Sequence, residues 1–114
     1  RLNCGLLQSD YKQHQDLYIL YETQHSFGTL EILLKRNGEV VTELLYFDRE
    51  GRGHTHDSWE NCFILSGSGW IMVGETKVAV RKGDVCCIPP QTNHWMIPEP
   101  HLEILLVYSL KKGA

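Results

Sequence analysis

The segment Gly53-His54-Thr55-His56-Asp57-Ser58-Trp59-Glu60 decides how this chain is interpreted. Its two histidines and its glutamate stand at even offsets, and successive side chains of an extended backbone alternate between two faces. An extended segment would therefore direct His54, His56 and Glu60 to one side. Imidazole nitrogens and carboxylate oxygens bind divalent ions, and three such donors leave coordination positions open for water or substrate. The spacing predicts a metal site that a fourth donor from elsewhere in the chain would complete.

Short runs of β-branched and aromatic residues surround this segment and alternate with turn signals, a pattern typical of a β-sandwich or barrel. We predict an all-β fold with strands at 17–22, 29–36, 39–47, 59–66, 69–73, 77–81, 84–88, 94–97 and 102–108. Asn37-Gly38 is the strongest hairpin signal, because both central residues of a type I′ turn need positive φ. Further turns are expected at 67–69, 74–75 and 82–84, and the prolines at 98 and 100 should end ladders or lie on edges.

The composition is that of one globular domain, which we assign to residues 1–114 with 1–16 as an N-terminal extension. Hydrophobic residues make up 42% of the chain and charged residues 22%, close to the globular average. A net charge of -3 with dispersed Lys and Arg offers no basic face for nucleic acid. The apolar run 102–110 is about half the length of a membrane-spanning helix, and residues 1–16 lack the pattern of a secretory signal. We expect a cytoplasmic protein with no nucleic-acid or membrane partner.

The four cysteines, Cys4, Cys62, Cys86 and Cys87, include no C-x-x-C pair. Cysteine often behaves as a small buried hydrophobe, so we predict reduced residues that pack in the core. Cys62 and Ile64 share the parity of Glu60 and should point inward, whereas Asn61 and Phe63 should point outward. Trp59 and Trp95 are assigned to core or interface packing, and the directions of Tyr46 and Tyr108 stay open. His14, His25 and His101 lack ligand spacing and are interpreted as ordinary surface or core residues.

The histidine-bearing segment resembles the first motif of the cupins, which has the form G-x5-H-x-H-x3,4-E-x6-G. His54, His56, Glu60 and Gly67 keep this spacing, while Asp48 stands at the position of the leading glycine. A second motif follows it in the order that cupins have, and two motifs together carry more weight than a lone H-x-H pair.

The second cupin motif, G-x5-P-x-G-x2-H-x3-N, is matched by Gly83, Pro89 and His94. Gln91 replaces its other glycine and Pro98 its asparagine. The resemblance implies a double-stranded β-helix, the jelly-roll barrel of the cupins, with His94 as the fourth ligand beside His54, His56 and Glu60. It also implies one divalent transition-metal ion, with Fe, Mn, Ni, Zn and Cu as the candidates.

Cupins with this ligand set include dioxygenases, decarboxylases, isomerases and lyases, so the resemblance implies a range of reactions. We expect a metal-dependent enzyme that acts on a small organic acid, a sugar derivative or a similar metabolite, as an Fe(II) dioxygenase or as a lyase or isomerase. A noncatalytic metal-binding or small-molecule-binding module is the alternative. The sequence nominates no acid–base residue. Apolar strands with exposed edges favour a homodimer.

Overall fold

The structure is a computed structural model that describes residues 22–109. Within that range the chain forms strands alone, which confirms the predicted all-β class. The seven strands are β1 (Glu22–His25), β2 (Gly28–Arg36), β3 (Glu39–Phe47), β4 (Glu60–Val73), β5 (Thr76–Arg81), β6 (Val85–Ile88) and β7 (His94–Tyr108). The predicted extension 1–16 and nearly all of the predicted strand 17–22 lie outside the described residues.

All strand pairs are antiparallel and form one sheet in the order β1-β2-β3-β7-β4-β5, with β6 paired to β4. The predicted hairpin between β2 and β3 is present, and its central residues Asn37 and Gly38 have φ of 52° and 79°. Both values are positive, as the type I′ turn requires. The longest ladder joins β4 to β7, the two strands that carry Glu60 and His94.

The turn predicted at 67–69 is wrong, because β4 runs unbroken through it. The ladder between β4 and β7 instead shifts register near Gly67. Gly67 has φ of 82°, and a Cβ placed there would lie 2.0 Å from the carbonyl oxygen of His101. Glycine at this position therefore permits a close approach of two backbones in a bulge, with no chain reversal.

The second division that the sequence suggested is also absent, since 94–97 and 102–108 belong to one strand, β7. Pro98 stands opposite Gly69 of β4, whereas β3 pairs with β7 over Leu102–Val107 alone. Among the described residues, Pro98 thus lies where β7 has a neighbour on one side only. Proline is tolerated there because no second strand needs its missing N–H.

The core lies inside the curled sheet, and alternation along β4 shows which side faces it. Cys62 and Ile64 are buried, at 0% and 3% exposure, whereas Phe63 is 38% exposed, which confirms the predicted parity. The buried hydrophobic residues are Leu45, Phe47, Cys62, Ile64, Ile71, Val80, Cys86, Ile88, Met96, Leu102, Ile104 and Leu106. Cys62, Cys86 and Cys87 are free thiols. Cys62 and Cys86 are buried as predicted, whereas Cys87 is exposed, so the core-packing prediction is wrong for Cys87. Cys4 lies outside residues 22–109. The described part of the chain contains no helix that could span a membrane.

Candidate metal centre

Four predicted donors come together from two separated parts of the chain. His54 and His56 lie on the irregular segment between β3 and β4, Glu60 begins β4, and His94 begins β7. The segment is less extended than the even spacing suggested: of its residues, His54 alone forms a bridge, with His94. Each backbone N–H of this pair donates to the other's carbonyl, at 3.1 and 3.0 Å. This bridge brings the loop histidines to the beginning of β7.

The side chains of these residues converge closely. One donor atom from each of His54, His56, Glu60 and His94 lies within 4.8 Å of every other. Opposite ligands of one ion with bonds of about 2.1 Å would be about 4.2 Å apart, so the cluster has the dimensions of a metal site. Glu60 and His94 are buried, His56 is half-buried and His54 is exposed. The cluster therefore has a buried base and an accessible side.

Two of the imidazoles are held so that their Nε2 atoms carry lone pairs. His94 Nδ1 lies 2.8 Å from the carbonyl oxygen of Thr92, and His54 Nδ1 lies 2.9 Å from that of Arg52. Because a carbonyl can only accept, we assign the proton of each neutral ring to Nδ1, as in many metal-binding histidines. This assignment leaves both Nε2 atoms free to coordinate an ion.

The closest contact in the cluster supports the same conclusion. His94 Nε2 lies 2.8 Å from Glu60 Oε2, yet it is buried and lacks a partner with hydrogen-bond geometry. Two electron-rich atoms at this distance repel each other unless a cation, either a proton or a metal ion, neutralises them. The residues present thus fit a divalent ion.

Burial and the neighbouring polar groups shift the pKa values of His94 and His56 in opposite directions. Burial of His94 disfavours its charged form, but the Glu60 carboxylate and the Thr92 carbonyl outweigh this effect and raise its pKa. Burial lowers the pKa of His56, and the neighbouring His54 and His94 add to this effect, although Glu60 opposes it. His56 is therefore the imidazole that more readily stays neutral, as a ligand must be.

Gln91 occupies the position where the second motif has glycine, and it holds the ligand loop in place. Its backbone N–H donates to the carbonyl of His56 at 2.8 Å, and its side-chain Nε2 donates to Asp57 Oδ1 at 2.8 Å. Its φ of 60° lies in the left-handed region that the glycine would have occupied more easily. The substitution keeps the backbone conformation and adds a side-chain contact to the loop.

A cavity of about 530 Å³ opens beside the cluster and is lined by three of its members, His54, His56 and Glu60. Its remaining walls are mainly apolar, from Phe27, Leu30, Leu45, Phe47, Trp95, Met96 and Leu106. Trp95 is half-buried in this wall and donates its indole N–H to Glu50 at 3.0 Å. Trp59, in contrast, is 45% exposed, so it does not pack in the core, and interface packing stays a prediction for it. Cys62 packs in the core and is absent from the cavity lining.

The sequence interpretation missed Glu43 and left Tyr108 undecided, and both line the cavity. The Tyr108 hydroxyl donates to Glu43 Oε1 at 2.9 Å. The alternation of β3 could have identified Glu43, because it shares the parity of the buried residues Leu45 and Phe47. Tyr46 has the opposite parity and is 39% exposed. Neither His25, which stacks on Phe27 and borders the cavity, nor His101 joins the donor cluster.

Known proteins share the motifs that carry these donor residues. The sequence model of the cupin domain family matches residues 48–108. These residues make up more than half of the chain and contain both motifs. The chain belongs to the cupin family. Its single curled antiparallel sheet is accordingly the jelly-roll fold that the resemblance implied.

Among curated proteins, this cupin is similar to an acireductone dioxygenase of Leptospira biflexa, at 28% identity over 96% of this chain and 77% of that protein. Among solved structures, it resembles a predicted oxalate decarboxylase of Thermotoga maritima, with a TM-score of 0.66, 20% identity and coverage of 78% and 90% of the two chains. It also resembles a cupin superfamily protein of Desulfitobacterium hafniense, with a TM-score of 0.66, 16% identity and coverage of 83% and 88%. At such identities, the structural matches support the fold alone.

Proposed function

We propose that this cupin binds one divalent transition-metal ion through His54, His56, Glu60 and His94 and acts as a dioxygenase on a small reductone. The observation that carries the proposal is the convergence of three imidazoles and one carboxylate at the edge of a cavity. A bound ion would supply Lewis acidity and, if it is iron, a site for dioxygen. Three neutral ligands and one carboxylate leave net positive charge on such a site, which suits an anionic substrate.

The proposed substrate class follows from the curated relative. Its name specifies an acireductone, which is an enediol beside a carbonyl group, and the match extends over 96% of this chain. The cavity of about 530 Å³ lies within the range of small-molecule sites, with mainly apolar walls and a few polar groups. Those walls would hold the carbon skeleton of the substrate and exclude water from the reacting oxygens.

Metal content is the first test. Protein purified after metal-replete expression should contain about one equivalent of Fe, Mn, Ni, Zn or Cu, which elemental analysis would identify. Much less than one equivalent would contradict the proposed ligand set. The identity of the ion would also distinguish oxygen chemistry from purely Lewis-acid chemistry, because zinc has no redox activity.

Oxygen consumption tests the reaction itself. Iron-loaded protein should consume dioxygen when given reductic acid, a simple cyclic reductone, and the label of ¹⁸O₂ should enter the product. The same concentration of free iron and the metal-free protein serve as controls for autoxidation. A thermal shift with reductic acid but no oxygen uptake would instead favour the noncatalytic binding module. The homodimer and the cytoplasmic location inferred from the sequence remain predictions.

A further inference from the structure

Glu43 is an acidic residue in a wall that is otherwise largely apolar. It lies on β3, its side chain faces inward beside that of Leu45, and only 9% of its surface is exposed. The same cavity is bordered by Glu60 and His56 of the candidate metal centre. Burial of a carboxyl group costs stability unless the group is hydrogen-bonded or paired with an opposite charge. Glu43 is not among the four candidate metal donors.

Tyr108 fixes the orientation of this carboxyl group. Its hydroxyl donates to Glu43 Oε1 at 2.9 Å, and its ring packs edge-on against His56, with 5.3 Å between centroids. Among residues 22–109, no hydrogen bond to the second oxygen, Oε2, is observed. Tyr108 thus occupies one carboxyl oxygen and leaves the other available to a molecule in the cavity.

The surroundings of Glu43 make its carboxyl group a better proton acceptor than a solvent-exposed one. Desolvation by burial raises its pKa, the hydrogen bond from Tyr108 partly opposes that effect, and the nearby Glu60 charge adds to it. Tyr108 of β7 and Glu60 of β4 are the titratable groups that face it from those strands, and its partner on β2 is Ile32. A carboxylate whose pKa is raised toward the working pH is a stronger base than one on the surface.

We propose that Glu43, positioned by Tyr108, is the base that accepts a proton from the enediol hydroxyl that remains on the bound reductone monoanion. This inference rests on the proposed function. In the step, the O–H bond of the substrate breaks and its electron pair stays on the substrate oxygen, while a new O–H bond forms at Glu43 Oε2. The product of the step is an enediolate dianion, which the positive charge of the candidate metal centre would stabilise. Glu43 would be a catalytic residue and Tyr108 a positioning residue.

The isosteric variant Glu43→Gln tests the proposal. Glutamine can still accept the Tyr108 hydrogen bond through its oxygen, so it presents an NH₂ group to the cavity in place of a proton acceptor. We expect kcat for oxygen consumption with reductic acid to fall about 100-fold, the range for loss of a general base, with unchanged metal content. Glu103→Gln is the matched control, because Glu103 contacts Ser66 and does not border the cavity. It should retain the wild-type kcat.

A spectroscopic readout separates this inference from the oxygenase proposal. Each ionisation of a reductone moves its absorption to longer wavelength, so the second ionisation of bound reductic acid can be followed without dioxygen. In Glu43→Gln, the pH midpoint of this ionisation should rise by about one unit, a tenfold change. Tyr108→Phe should keep the carboxylate but move the acidic limb of the kcat profile to higher pH, since the Tyr108 hydrogen bond lowers the pKa of Glu43.

The outcomes are distinct. Wild-type ionisation and kcat in Glu43→Gln would overturn the role of Glu43 while leaving the dioxygenase intact. Loss of metal in that variant would mean that Glu43 stabilises the metal centre, and this result would also overturn its role as the base. Ionisation of bound reductic acid that depends on Glu43, without oxygen uptake by the wild type, would support the base and refute the dioxygenase. Failure of metal-loaded wild type to bind reductic acid would refute both.

Discussion

Replacing Gln91 tests whether this departure from the cupin motif positions the loop that carries His54 and His56. Gln91 holds a left-handed φ of 60°, which costs a non-glycine residue roughly 1 kcal/mol. Its side chain also bonds Asp57 at 2.8 Å in an exposed setting, a contact that stabilises by about 0.5–1 kcal/mol. Gln91→Gly removes both effects, so the free energy of unfolding should change by less than about 1 kcal/mol. Gln91→Ala loses the contact but keeps the backbone cost, so it should be less stable than Gln91→Gly by about 1 kcal/mol.

Metal affinity should respond differently from stability. Both Gln91 variants keep the backbone bond to the His56 carbonyl but lose the side-chain contact next to that ligand. Loss of a group that orients a ligand typically weakens metal binding by about 10–100-fold, and we expect the lower end because the contact is exposed. Competition titration with a chromophoric chelator would measure the affinity, and urea unfolding of metal-free protein would measure the stability.

Asn37→Gly provides the matched control for these measurements. Asn37 also has a left-handed φ, 52°, but it lies in the hairpin turn between β2 and β3. Its replacement should raise or preserve stability without any change in metal affinity. Equal stability of Gln91→Gly and Gln91→Ala would refute the assigned backbone cost. Wild-type metal affinity in both would refute the positioning role.

Three further predictions concern the site itself. His94→Ala should lose most of the bound metal in elemental analysis, whereas His101→Ala should retain it, since His101 stacks on Tyr46 away from the cluster; equal retention would contradict the ligand set. Metal occupancy, measured after dialysis, should fall as the pH drops below about 6, because protons compete for the imidazoles and the raised pKa of His94 lets that residue protonate before His56, whose pKa is lowered. Full occupancy at pH 4 would argue against three histidine ligands. The third concerns Glu43, whose pKa is raised in the folded protein. At pH values between its unfolded and folded pKa, the folded state binds more protons than the unfolded state. The free energy of unfolding of the wild type should therefore decrease as the pH rises through that interval. Glu43→Gln should lack this decrease in urea unfolding at a series of pH values, and an identical decrease would contradict the assignment.

Local patterns predicted most of the strands, because their signals are contained in adjacent residues. β3 has the predicted bounds, and the Asn37-Gly38 turn has the predicted positive φ at both positions. Strand β1 at Glu22–His25 was not predicted beyond Glu22. The two wrong strand divisions, at Gly67 and at Pro98, share one cause. Glycine and proline in a sequence usually predict the end of a strand. Both are nevertheless accommodated within a strand where the pairing has a bulge or where one side of the strand has no neighbour. That information belongs to the partner strand and is not present in the local sequence.

The candidate donors were predicted from motif spacing, but the acid–base candidate was not. The signal for Glu43 was its parity with Leu45 and Phe47, which becomes informative only when the inward face of β3 is known. Tyr108 lies 65 positions away in the chain, and no local pattern links the two residues. Their contact depends on the pairing of β3 with β7, in which Glu43 stands opposite Leu106.

The candidate metal centre depends on the curvature of the sheet as much as on its donor residues. Glu60 begins β4 and His94 begins β7, and because these strands are antiparallel, the two residues stand at opposite ends of their shared ladder, opposite Tyr108 and Val73. A straight β4 would separate those ends by roughly 40 Å at about 3.3 Å per residue. The carboxylate and the imidazole nevertheless lie 2.8 Å apart, so the ladder must bend back on itself. Its register shifts lie between Ile64 and Gly69, near the middle of β4, where bulges bend a strand and increase its twist. Gly67 and Gly69 therefore contribute to the candidate metal centre through the shape of the sheet, although neither can bind an ion through a side chain.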